Sequence, residues 1–142
     1  SRFDDESFDL AVSIYTLDFV ERVDAAIAEA ARVLKPGGML AIAVKHPFGA
    51  VIEGGQAYRI TRPYWSDHKD QPWEWKESPS ALLRNYLRTM SQWFDLLTAA
   101  GFALERLIEP KEADLEHGPD DAMDNIWLGL LPYTLIMKAR KR

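Results

Sequence analysis

The sequence has no cysteine, no apolar run long enough to span a membrane, no surplus of basic charge and no glycine-rich phosphate loop. Each absence removes a class of function. Without cysteine there is no disulfide framework, no thiol nucleophile and no thiolate-held zinc. A net charge of −5 argues against a general nucleic-acid binder, which carries a basic face. The opening residues, SRFDDESFD, lack the basic and apolar blocks of a signal peptide. These features predict a soluble, cytoplasmic protein with no nucleic-acid and no membrane partner. The glycines stand at 37, 38, 49, 54, 55, 101, 118 and 129, and none forms a GxGxxG fingerprint behind an apolar strand. A dinucleotide-dependent dehydrogenase is therefore disfavoured.

What is present is ordinary for a globular domain: 142 residues, 47% hydrophobic and 27% charged. One stretch organises the rest. Phe8–Ser13 is apolar almost throughout, as a strand buried on both faces would be. After a short loop, Val23, Ile27, Ala30, Ala31 and Leu34 repeat at the spacing of one helix face. Pro36 stops that helix, Gly37 can close it in the left-handed conformation, and Met39–Val44 reads as a second buried strand. The whole is a βαβ unit, which implies parallel strands.

Phe48 to Arg84 holds glycine, proline, Tyr58, Tyr64, Trp65, Trp73 and Trp75 among charges, with no persistent helix or strand period. A connection of that length in a compact domain is a candidate lid, here an insertion at about 48–84. Thr89 and Gln92 have capping-box spacing at the start of a helix expected over Met90–Ala100, ended by Gly101. Strands are expected at Ala103–Glu109 and Tyr133–Ala139. The acids between Lys111 and Asn125 do not match a calcium loop and read as a solvated charge run, so no metal site is expected.

Phe-Asp-Leu-Ala-Val-Ser, an alanine-rich helix, then Val-Leu-Lys-Pro-Gly-Gly and an apolar strand together resemble the class I S-adenosylmethionine-dependent methyltransferases, nearest the methyltransferase type 11 or UbiE-like group. The Ala-Gly-Phe after the later helix and the ending Pro-Tyr-Thr-Leu-Ile-Met-Lys-Ala-Arg share the likeness. The resemblance implies an α/β fold, a partial Rossmann-like sheet whose strands correspond to the family's fourth to seventh. The last of these would be antiparallel, inserted between the fifth and sixth. Residues 1–142 would then be a single domain, the carboxyl-terminal half of a methyltransferase domain, and the family's glycine-rich cofactor loop has no counterpart in this sequence.

By the same resemblance, S-adenosylmethionine is the implied cofactor and a small molecule the methyl acceptor. Ser13 and Ile14 would offer backbone to the cofactor's methionine end, with Leu17 packing nearby. Tyr15 and Asp18 would face substrate, Asp18 standing where many relatives have histidine. Tyr58, Tyr64, Trp65 and Trp73 are candidates for an apolar substrate wall, because such pockets favour aromatic side chains. His46, at the carboxyl edge of the second strand, is the candidate general base, an imidazole being suited to proton transfer near neutral pH. The alternative is a binding or regulatory module that keeps the fold without catalysis. A first strand lacking a neighbour would also leave an apolar edge, which predicts a homodimer through that edge or its faces.

Overall fold

A computed structural model describes residues 2–53, 59–73, 81–111 and 131–142. The chain runs β1 (Phe8–Ile14), α1 (Val23–Val33), β2 (Leu34–Lys45), α2 (Pro47–Val51), β3 (Ile52–Glu53), β4 (Arg59–Ile60), β5 (His68–Trp73), β6 (Ala81–Tyr86), α3 (Met90–Ala99), β7 (Phe102–Ile108) and β8 (Thr134–Lys141). The main sheet has the order β1-β2-β8-β7. β1 and β2 are parallel, whereas β8 is antiparallel to both of its neighbours. The last strand is thus inserted between the two that precede it, as the resemblance implies.

The alternation along β2 builds the core. Leu40, Ile42 and Val44 point to one face and meet Leu135, Met137 and Ala139 of β8. α1 lays Val23 and Ile27 on that face, and α3 adds Trp93 and Leu97. The expected helix stripe is the one that packs, since Ala30, Ala31 and Leu34 join the same cluster. The capping box also forms, with the Gln92 amide donating to Thr89 Oγ1 at 3.2 Å and the Thr89 amide donating to Gln92 Oε1 at 2.8 Å. Two of the four orphan amides at that helix start are satisfied in this way.

Three expectations need correction. Phe8–Ser13 is not buried on both faces, and among the described residues β1 is an edge strand whose one sheet neighbour is β2. Ala11 packs on the core, but Leu10, Val12 and Ile14 are 55%, 57% and 63% exposed, and among the described residues no helix covers them. Gly37 does not close α1. The helix already ends at Leu34, whose backbone is extended, and Lys35 to Gly38 bulge out so that Phe8 pairs with Leu34 but Leu10 with Met39. Gly37 takes φ +77° in that bulge, and at Gly38 a Cβ would lie 2.8 Å from the Lys35 carbonyl oxygen. Finally, the described residues between 48 and 84 are not all irregular. Among them are two antiparallel ladders, β3 with β4 and β5 with β6.

The basic end of the chain serves the same bulge. Lys141 Nζ donates to the Leu34 carbonyl at 2.7 Å and Arg140 Nη1 to the Gly37 carbonyl at 2.8 Å. Arg140 also pairs with Glu105 on β7. These cations satisfy carbonyls that the bulge leaves outside the ladder. No helix among the described residues is long and apolar enough to cross a membrane, and no cluster there has a metal-binding set of side chains.

Candidate functional site

The carboxyl ends of β1 and β2 meet the amino end of β8, and the turn after β1 closes the space between them. Tyr15 leaves the ladder at φ +48°, a left-handed backbone for a bulky residue. Its amide still donates to the Ala43 carbonyl at 2.8 Å, and its hydroxyl is hydrogen-bonded to Thr134 Oγ1. Such a conformation costs of order 1–3 kcal/mol and persists where surrounding contacts enforce it. Here the ladder holds one end of the residue and β8 the other. The bend turns the chain into a single 3-10 turn, Leu17–Phe19, with Leu17 packed on the core.

Asp18 follows. Its Oδ2 accepts from the Lys45 amide at 3.2 Å. Burial raises its pKa above the ordinary value, and the amide bond and the nearby Arg88 and Lys45 charges offset that only in part. Arg88, between β6 and α3, ties the turn to the hairpin. Its Nη2 donates to the Val20 and Glu21 carbonyls at 2.7 and 3.2 Å, and its Nη1 to Tyr86 at 3.0 Å. The guanidinium also stands 5.5 Å from the Trp93 ring centre. Desolvation lowers its pKa from the usual arginine range.

The β5–β6 hairpin sits on this turn and encloses a cavity of about 20 Å³. Its polar lining is Asp18, Lys45, Lys69, Asn85, Tyr86 and Arg88, with Trp93 among the apolar residues. Lys69 and Asn85 face each other directly across the ladder, so both project from one face of the hairpin. Of these residues only Asp18 was singled out by the sequence. Lys45 had a weak signal, a charge at the end of an apolar strand, and Arg88 stands just before the capping box. Lys69 and Asn85 have none, since only the hairpin register brings them there.

His46 is fully buried, and both ring nitrogens are engaged. Nδ1 accepts from the Phe48 amide at 3.1 Å, which caps α2, so Nε2 carries the hydrogen and donates to Glu109 Oε1 at 2.8 Å. Phe48 stacks on the ring at 5.6 Å and 7°. With Nδ1 occupied by an amide hydrogen and the ring enclosed, the imidazole has no open acceptor for a substrate proton. The geometry makes His46 a clamp between the end of β2 and the residue after β7.

Of the expected aromatic wall, Tyr64 and Trp65 are described and touch each other. Tyr64 packs on Phe48 at 5.4 Å and accepts from the Met90 amide at 3.2 Å, so it braces the start of α3. Trp65 meets Tyr64 edge-on but is 81% exposed, because it rides a turn in which the Ser66 amide bonds to the Pro63 carbonyl. Tyr58 lies outside the described residues, as does the side chain of Trp73. The structure does bring Ser13, Ile14, Tyr15, Leu17 and Asp18 together at one strand exit, with Ser13 Oγ buried and lacking a hydrogen-bond partner.

The family model of a methyltransferase domain matches residues 1–42. An S-adenosylmethionine-dependent methyltransferase from Mesorhizobium loti superposes with a TM-score of 0.71 at 24% identity, over 98% of this chain and 64% of its own. The fold is that of the class I methyltransferases. A Listeria monocytogenes protein assigned to the same class gives 0.72 at 16% identity, over 100% of this chain and 65% of its own. A structure described as the cyclase SpnF gives 0.58 at 20% identity, over 99% and 53%. This chain therefore spans 64% and 65% of the first two neighbours. No protein with a curated description matches the sequence.

Proposed function

We propose that this chain forms the acceptor side of an S-adenosylmethionine-dependent methyltransferase that modifies a small molecule. The observation that supports this most is the strand order β1-β2-β8-β7 with β8 antiparallel, combined with the family match over β1, α1 and most of β2. In open α/β sheets ligands sit beyond the carboxyl ends of the strands, where Ser13–Asp18 lie. Ser13 fits the cofactor through its unpartnered buried hydroxyl, and Ile14 and Leu17 flank it on the same exit. The cofactor, when bound, supplies the methyl group. The chain's own part is to position the acceptor and exclude water, a task suited to the hairpin over the turn. The lid role of residues 48–84 and the substrate contacts of Tyr15 and Asp18 belong to this reading.

Calorimetry tests it. A chain extended upstream to the length of the structural neighbours should bind S-adenosylmethionine, and the 142-residue chain should not. An extended chain that fails to bind would sink the enzymatic reading. It would favour a non-catalytic binding module that keeps the fold. The cyclase neighbour is a reminder that one fold carries more than one chemistry. As for self-association, the unpaired edge of β1 with Leu10, Val12 and Ile14 exposed suits a homodimer of this chain. Light scattering should then give a mass above that of one copy, reduced by Val12→Lys. A dilute monomer for the parent chain would refute the dimer.

A further inference from the structure

We propose that the cavity under the β5–β6 hairpin binds one ordered water, which bridges the Asn85 side-chain amide to the Asp18 carboxylate and makes Asn85 a positioning residue for Asp18. The role, though not the water, rests on the reading of the Ser13–Asp18 turn as the acceptor side. The cavity measures about 20 Å³, the space of a single water molecule. Asn85 on β6 and Asp18 in the turn after β1 both line it. Asn85 Nδ2 is buried with no hydrogen-bond partner, and an unpaired buried donor costs the full desolvation of the group. Asp18 has the complementary need. Its Oδ2 accepts from the Lys45 amide at 3.2 Å, whereas an ionised carboxylate offers about four acceptor positions. A water supplies both sides, an oxygen that accepts from Nδ2 and a hydrogen that it donates to the carboxylate.

Charge and size select water over other guests. Asp18 opposes a bound anion, and Lys45, Lys69 and Arg88 oppose a bound cation, so the lining suits a neutral molecule. That molecule must both donate and accept, and the volume excludes anything much larger than water. The bridge would complete a tie that Arg88 begins. Arg88 holds the Val20 and Glu21 carbonyls just beyond the turn, and the water would hold the Asp18 side chain from the neighbouring arm of the hairpin. The carboxylate would then keep one orientation at the strand exit.

The test is NMR on the 142-residue chain. The Asn85 side-chain amide should give a rotating-frame cross-peak to water with the sign of a dipolar contact, opposite to that of chemical exchange. Asp18 is then titrated through its carboxyl carbon in the parent and in two variants. Asn85→Leu removes the donor and fills the space, so the Asp18 midpoint should move upward, because a carboxylate that loses a hydrogen bond is harder to ionise. Asn85→Ser keeps a donor and leaves room for the water, so its midpoint should stay near that of the parent. A parent chain without the dipolar cross-peak would overturn the water. An Asp18 midpoint that is the same in the parent and in Asn85→Leu would overturn the positioning role. The cross-peak needs no variant, so a Leu variant that misfolds does not shelter the proposal. S-adenosylmethionine enters none of these measurements, so a failed cofactor titration and a missing water are separate results.

Discussion

Arg88→Met is the most informative single perturbation of the turn that bears the site. The guanidinium makes bonds of 3.0, 2.7 and 3.2 Å to the carbonyls of Tyr86, Val20 and Glu21. It is half-buried, so each charge-assisted bond is taken near the lower end of its range, about 1 to 1.5 kcal/mol. Three of them sum to roughly 3 to 4.5 kcal/mol, from which about 1 kcal/mol is returned because the desolvated cation no longer has to be held. The expected loss is therefore about 2–3.5 kcal/mol, or a melting temperature lower by about 6–10 °C for a chain of this size. Arg88→Lys keeps the charge but not the fork, so it should lose about half as much. Urea unfolding followed by circular dichroism measures both, with unchanged m-values as the sign that the unfolded state is unaffected. Amide exchange should accelerate at Phe19 and Val20 before the rest of the sheet. If Arg88→Met costs under about 1 kcal/mol, or Arg88→Lys matches the parent, the fork is not what holds the turn.

Two further predictions separate local causes. At Gly38 a methyl group meets the Lys35 carbonyl oxygen, so Gly38→Ala should cost about 1–3 kcal/mol in urea unfolding. Gly37→Ala meets nothing and pays only for φ +77°, about 1 kcal/mol, and Gly37→Asn should recover most of it. At Asp18, burial raises the folded-state pKa above 3.8, so the folded chain retains a proton there that the unfolded chain has lost. That term lowers stability as pH rises from the unfolded value through the folded one, and is level above it. Asp18→Asn should therefore gain stability relative to the parent over that window and show no further change above it. Asp24, held down to about 2 by Arg22, and Asp70 and Glu105, lowered by Arg84 and Arg140, slope the other way but cancel in the difference. A difference curve that is flat from pH 3 to 7 would refute the assignment.

Much of the fold was legible because it depends on near neighbours in the sequence. Val23, Ile27, Ala30 and Ala31 face the sheet since their spacing alone decides which side of α1 they share. Thr89 and Gln92 form their box because both partners lie within one helical turn. The candidate site was legible only along its one continuous segment, Ser13–Asp18. The pairing of His46 was not legible for a reason of distance. Glu109, which occupies Nε2, lies on the far side of the sheet order, and no local pattern announces it.

Sequence by itself determined the elements and their order, through periodicity, caps and turn residues whose partners sit a few positions away. It also determined the class of sheet, since a short βαβ crossover makes its strands parallel. Tertiary structure alone decided that described residues of the segment after β2 pair into two ladders, and that Lys45, Lys69, Asn85 and Arg88 surround one cavity with Asp18. Those side chains come from a strand end, both arms of a hairpin and the lead-in to α3. Their meeting is set by the hairpin register and by the carbonyls that Arg88 gathers, and such long-range constraints leave no periodic trace in the chain.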